Sequence, residues 1–188
     1  IYEEYATFFK GQGCEYFSIG FDEYTYRSGP EEKAPYMNVL NRFLNQKGLK
    51  VRMWSDGVTK SNASSIDKNI EIMYWFRNEE EAKNDAYASV PELQELGFKI
   101  VNANFYYLFF IPSSTSVTEE SLSKTVNDIK NIWTLEKWKH NLDSTLESKD
   151  NILGAMVAVW GEDSATISSN VILKQTKDMY NAMYSKLK

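Results

Sequence analysis

Two adjacent carboxylates, Asp22 and Glu23, end an aromatic, β-favouring run from Cys14 to Tyr24 that reads CEYFSIGFDEY. A pair of carboxyl groups at one strand end suits acid–base work on a glycosidic bond. Neighbours on a regular strand point to opposite faces, so the strand must end or twist at Asp22 if both acids are to reach one substrate. The competing assignment is structural: one acid caps the next helix and the other is solvated.

Aromatic side chains recur at comparable places. Trp54, Trp75 and Trp160 end three predicted strands, and Tyr106 and Tyr107 end a fourth. Indole rings stack well on the apolar faces of pyranose rings and acetamido methyl groups. Taken singly, each Trp reads more readily as a core residue, and only three at equivalent positions bring a shared pocket level with that reading. Tyr107 could donate a phenolic hydrogen bond to a sugar or line a barrel. His140, the only histidine, lies in a polar helical stretch, so neither a Ser-His-Asp nor a Cys-His arrangement fits. Cys14 reads as a small core residue. The sequon Asn62-Ala63-Ser64 matters only in a eukaryotic secretory setting.

The elements that must position these residues alternate between helix and strand. Ile1–Lys10 has helical spacing and is stopped by Gly11 and Gly13. The Cys14 strand follows. Pro35–Lys47 predicts a helix ended by Gly48, and LKVRMW a strand ending at Trp54. Asn69–Trp75 predicts a strand, Glu79–Leu96 a helix broken near Val90-Pro91, and Phe98–Asn104 another strand. Ser116 and Glu119 have capping-box spacing ahead of a helix to Asn131, and helical spacing continues from Ile132 to Lys149. Leu153–Trp160 is nearly all apolar and predicts a strand buried on both faces. A last helix runs from Ser168 to Lys188. Five strands with helices between them predict an α/β fold with a parallel sheet, either a barrel or an open doubly wound sheet. The chemistry-bearing residues then fall at C-terminal strand ends, where such folds bind ligands.

The 188 residues suffice for a single domain spanning 1–188. Hydrophobic residues make up 43% and aromatics 14%, a globular composition. The net charge of -5 argues against a nucleic-acid partner. No apolar run has membrane-spanning length. A single cysteine excludes an internal disulfide framework and a Cys-based zinc site, and no Gly-rich phosphate loop is present. No cofactor or metal is expected.

Together these residues resemble glycoside hydrolase family 20, the β-N-acetylhexosaminidases and lacto-N-biosidases, and most of all its bacterial surface exo-hexosaminidases. The family's motif of His or Asn, any residue, Gly, any residue, Asp-Glu stands here as Ser18-Ile19-Gly20-Phe21-Asp22-Glu23. Its later tryptophans match Trp54, Trp75 and Trp160, its Tyr before Leu matches Tyr107-Leu108 with Tyr106 as alternative, and its Trp-x-Glu matches Trp160-Gly161-Glu162. Ser18 departs from the motif.

The resemblance implies a (β/α)8 TIM barrel, of which the chain supplies the fourth to eighth βα units, the C-terminal portion of the catalytic domain. An incomplete barrel implies self-association or pairing with the missing N-terminal half, and little activity by itself. The implied substrate is a glycan with a terminal N-acetylhexosamine, and the implied location extracellular or on the bacterial surface. The implied reaction is substrate-assisted, which sets this family apart from the two-carboxylate scheme. Asp22 orients the 2-acetamido group, Glu23 is the general acid and base, Tyr107 holds the acetamido oxygen, the three tryptophans enclose the sugar and Glu162 binds its outer hydroxyls. The competing expectations are a non-catalytic carbohydrate-binding fragment, a lacto-N-biosidase releasing a disaccharide, and another α/β-barrel hydrolase.

Overall fold

A computed structural model describes residues 1–23, 30–75, 87–138, 146–161 and 164–188. Five strands form one sheet in sequence order: β1 (Tyr16–Ser18), β2 (Lys50–Trp54), β3 (Glu71–Tyr74), β4 (Ile100–Asn102) and β6 (Ile152–Ala155). β1 pairs with β2, and β2 with β3, in parallel. Strands in sequence order are the arrangement expected of consecutive βα units, but β2 and β3 are joined by two short 3-10 turns, Ser55–Gly57 and Ala63–Ser65, rather than by an α-helix. Two further strands, β5 (Phe109–Phe110) and β7 (Ala158–Val159), make a separate parallel pair.

The chain divides into two compact units. The first holds Ile1–Tyr74, Glu80–Val101 and Asp150–Leu153, and the second Trp75–Glu79, Asn102–Lys149 and Gly154–Lys188. In the first unit, α1 (Tyr2–Gly11) and α2 (Pro30–Gln46) precede β1 and β2 respectively. Met37, Leu40 and Leu44 form a buried stripe on α2, spaced by three and four residues as one helix face requires. α2 packs on β2, where Val51 and Met53 are fully buried. Asn41, 2% exposed, faces the loop before β3 and donates to Asp67 Oδ2 and Asn69 Oδ1, so its burial is compensated. One row across the sheet is charged. Arg52 Nε donates to Glu71 Oε2 at 2.7 Å, and its guanidinium lies 3.8 Å from the centre of the Tyr16 ring.

α3 (Val90–Glu95) is capped by Ser89, whose hydroxyl accepts from the Glu92 amide while the Glu92 carboxylate accepts from the Ser89 amide. In the second unit, a helical turn α4 (Phe105–Leu108) packs with α5 (Glu119–Asn131) and α6 (Ser169–Lys186) around Trp133, Leu108, Phe110, Ile129, Met179 and Met183.

Several expected boundaries move, each for a physical reason. The first strand stops at Ser18 instead of running to Phe21, because the backbone turns left-handed at Gly20. α2 starts at Pro30, so Pro35 lies inside the helix rather than opening it. Pro30 is the better first-turn residue, since its missing N–H would be unpaired there in any case. The described part of the stretch before α3 is not helical: Tyr87 bridges Thr59 in antiparallel fashion, and residues 76–86 lie outside the described residues.

The cap of α5 is Thr118 with Ser121, not Ser116 with Glu119, because the Ser116 hydroxyl is engaged in the preceding turn with Ser113 and Ile111. Residues 132–138 and 146–149 are turn, bend and irregular backbone rather than helix. The apolar run Leu153–Trp160 is two short strands, not one. It is only partly buried, with Leu153 at 46% exposure, because β6 is an end strand of the sheet. His140 lies outside the described residues.

Candidate active site

β1 ends at Ser18, and its direction is then broken by three left-handed residues: Gly20 (φ 76°), Phe21 (φ 73°) and Glu23 (φ 51°). Gly20 tolerates this conformation without a steric penalty. Phe21 does not, and a bulky residue there costs roughly 1–2 kcal/mol. Sequence reasoning required the strand to end or twist if Asp22 and Glu23 were to act together, and the backbone does both. Both carboxylates are exposed.

The turn is held from the β2 side. Ile19 N–H donates to Arg52 O, and Trp54 N–H donates to Gly20 O, each at 2.9 Å. The Phe21 ring is buried at 9% exposure and meets Tyr36 at 6.2 Å between ring centres. Beneath it lies Gly57, in the short 3-10 turn Ser55–Gly57. A Cβ there would stand 3.2 Å from Phe21 Cδ1 and 2.4 Å from Met37 Cε, so glycine is what lets Phe21 and the flexible end of Met37 approach the turn this closely. Asp56 Oδ1 accepts the Glu23 amide at 3.3 Å. Trp54, 9% exposed, ends β2 beside this turn. Asp22, Glu23 and Trp54 are thus gathered in the first unit.

The second unit gathers Trp75 and Trp160. Both pack on Phe109: Trp75 stacks at 5.5 Å with a 9° interplanar angle, and Trp160 lies tilted at 6.0 Å. Phe105 closes on Trp75 and Phe109 at 6.0 and 5.1 Å. The β5–β7 pairing places Trp160 by donating its amide to Phe110 O. Sequence reasoning missed both phenylalanines, because Phe105 opens the helical turn α4 whereas Phe109 lies past its end, in extended backbone at the start of β5.

It also missed the two buried asparagines that set this turn. Asn104 Oδ1 accepts from the amides of Tyr106 and Tyr107, capping α4. Asn102 Oδ1 accepts from the Asn104 amide, while Asn102 Nδ2 donates to Leu135 O and Lys137 O. Two Asn at a strand end, two residues apart, carried that signal in the sequence.

The two tyrosines part company. Tyr106 is 43% exposed. Tyr107 is 1% exposed and packs into the helical core with Trp133 and Met179. Burial pushes the Tyr107 phenol above its ordinary pKa, with Tyr106 and Asp128 adding to the effect. Its hydroxyl is fully buried and makes no hydrogen bond among the described residues. Glu162 lies outside the described residues. Among the described residues no group of three or more His, Cys, Asp or Glu could hold a metal ion. No described helix is long and apolar enough to cross a membrane.

Residues 21–173 match the glycosyl hydrolase family 20 catalytic domain. The crystal structure of Dispersin B superposes with a TM-score of 0.88 at 32% identity, covering 98% of this chain and 57% of that one. The pneumococcal exo-β-D-N-acetylglucosaminidase StrH shares the fold, with a TM-score of 0.72 at 18% identity over 98% of this chain and 46% of that one. A lacto-N-biosidase of Bifidobacterium bifidum is 23% identical over 93% of this chain and 16% of its own length. The chain therefore spans little more than half of Dispersin B and a sixth of the lacto-N-biosidase. With the family match covering most of its length, the chain belongs to glycosyl hydrolase family 20, and its sheet is of that family's (β/α)8-barrel class.

Proposed function

We propose that the protein carrying these residues removes terminal β-linked N-acetylhexosamine from glycans by a substrate-assisted, retaining route. The observation that supports this most is the left-handed turn from Gly20 to Glu23, which interrupts the strand at the Asp-Glu motif and leaves both acids exposed. In this reading residues 1–188 all belong to one catalytic domain. The 2-acetamido oxygen attacks the anomeric carbon as Glu23 gives its proton to the departing oxygen. Asp22 orients the acetamido N–H and stabilises the positive charge that develops on the closing ring. Glu23 then takes a proton from the water that opens the oxazolinium-type intermediate.

Trp54, Trp75 and Trp160 supply apolar surface to the sugar, and Glu162 accepts from its outer hydroxyls. For the hydrogen bond to the acetamido oxygen, the motif position before Leu108 favours Tyr107, and exposure favours Tyr106. The Tyr106→Phe and Tyr107→Phe variants separate them, because only the true donor lowers kcat. By family likeness the activity belongs outside the cell or on a bacterial surface.

The deciding experiment is Glu23→Gln assayed on two aryl N-acetylglucosaminides. Loss of a general acid is expected to cost ~10²–10⁴-fold on a substrate with a poor leaving group, and far less on one with a highly acidic leaving group. Equal losses on both would remove Glu23 from the acid role. Retained sugar binding with no turnover by the unmodified protein would favour a carbohydrate-binding module. Turnover confined to disaccharide aryl glycosides would favour lacto-N-biosidase activity.

A further inference from the structure

We propose that Asp56 is a positioning residue that sets the direction of the Glu23 carboxyl by clamping the Glu23 backbone. The inference rests on the acid–base role given to Glu23 above. Glu23 is held at φ 51°, a conformation that a non-glycine residue leaves readily unless its surroundings fix it. The Glu23 amide donates to Asp56 Oδ1 at 3.3 Å. Asp56 is well anchored for the task. It occupies the 3-10 turn directly after β2, closed by the bond from Val58 N–H to Ser55 O at 2.9 Å.

The carboxylate turn is therefore gripped at both ends from the same segment. The Trp54 amide holds the Gly20 carbonyl, and Asp56 holds the Glu23 amide. Between these two bonds the Phe21 ring is pinned over Gly57. If the second bond is lost, Glu23 can relax toward extended backbone. Its side chain then swings to the opposite face from Asp22, as alternation along a strand requires. A shift of about 1 Å in a reacting group can cost on the order of 10²-fold in rate.

The clamp needs an acceptor oxygen at this position and does not need a charge. Asparagine supplies that oxygen with the same reach, whereas alanine supplies none. This separates clamping from any electrostatic effect of a third carboxylate.

The test compares Asp56→Ala and Asp56→Asn with the unmodified protein, by hydrogen exchange at the Glu23 amide and by steady-state hydrolysis of an aryl N-acetylglucosaminide. In Asp56→Ala the Glu23 amide should exchange roughly tenfold faster or more. The same variant should lose roughly 10- to 100-fold in kcat, with KM changed by less than about threefold. Asp56→Asn should recover most of both losses. Should Asp56→Ala fail to fold, Asp56→Ser, whose hydroxyl is too short to reach the amide, replaces it. Unchanged exchange at Glu23 in the Ala or Ser variant would overturn the clamp. Equal kcat losses in the Asn and Ala variants would overturn it too, in favour of a charge effect. If the intact protein carrying these residues does not hydrolyse hexosaminides, the functional reading fails, and the exchange measurement still decides whether Asp56 holds Glu23.

Discussion

Two turns present the candidate chemistry, and they are built in opposite ways. The turn after β1 carries exposed acids on a backbone bent into unfavourable left-handed angles, and it is held by bonds from the end of β2 and from the turn that follows it. The turn after β4 carries aromatic rings on ordinary helical backbone. It is fixed by two buried asparagines and by rings stacked on Phe109. Acids that must accept and release protons need access to water and substrate, so the carboxylates themselves stay exposed. The buried Phe21 ring beside them, with the bonds from β2 and Asp56, holds the strained backbone in place. A hydrophobic wall has no such requirement, and packing fixes it.

The largest expected effect that tests this contrast is at Phe109. Phe109→Ala removes the ring shared by Trp75, Phe105 and Trp160, and should lower unfolding stability in urea by about 3–5 kcal/mol. A loss well below that range would mean that the wall is not fixed by packing.

Next in size is the asparagine cap. Asn104→Ala strips the acceptor from the amides of Tyr106 and Tyr107. It should cost about 1–3 kcal/mol, read from the same unfolding curves. The smaller half of that range would show that the amides find other partners.

A sign reversal sharpens the comparison at a finer scale. Phe21 and Phe109 are equally buried, each 9% exposed, but Phe21 is left-handed and Phe109 is extended at φ -101°. Phe21→Gly should be more stable than Phe21→Ala by about 1 kcal/mol, because glycine relieves the strain. Phe109→Gly should be less stable than Phe109→Ala by about 0.5–1 kcal/mol. The same sign at both sites would show that the first turn is not strained.

The smallest effect is a pH dependence at the α3 cap, an unstrained, half-buried turn that serves as a reference. Burial alone would raise the Glu92 pKa, but the Ser89 amide and hydroxyl, with Lys60, outweigh it and hold the carboxyl below its ordinary value. A depressed folded-state value means that this stabilisation is fully present above the ordinary carboxylate range. It is lost as pH falls through the folded value. Glu92→Gln should therefore flatten the acid limb of the stability curve slightly, and an unchanged limb would argue against the cap.

Periodicity made much of the frame legible. The helices at Tyr2–Gly11 and Ser169–Lys186, the strand ending at Trp54 and the sequence-ordered sheet all follow from apolar spacing and glycine stops. Turn geometry was less accessible. The run through Phe21 favours β structure residue by residue, and only Gly20 hinted at the left-handed break. The Phe21 and Glu23 angles depend on Gly57, Trp54 and Asp56, more than thirty positions later in the chain. The Tyr106-Tyr107 pair drew attention as a doublet, yet helical phase sends neighbours to different faces, and Phe105 and Phe109 met the tryptophan. Ser116 matched a capping pattern but was engaged elsewhere by Ser113, a competition between local hydrogen bonds that spacing alone does not reveal.

The placement of the tryptophans has a spectroscopic consequence. Four of the five, Trp75, Trp133, Trp138 and Trp160, belong to the second unit, and Trp54 alone belongs to the first. Indole emission shifts to longer wavelength when water reaches the ring, so intrinsic fluorescence mostly follows the opening of the second unit. In a Trp54→Phe protein the signal would come from that unit only. The difference from the unmodified protein would then isolate the one indole beside the carboxylate turn, giving an optical readout of ligand arrival there without any label.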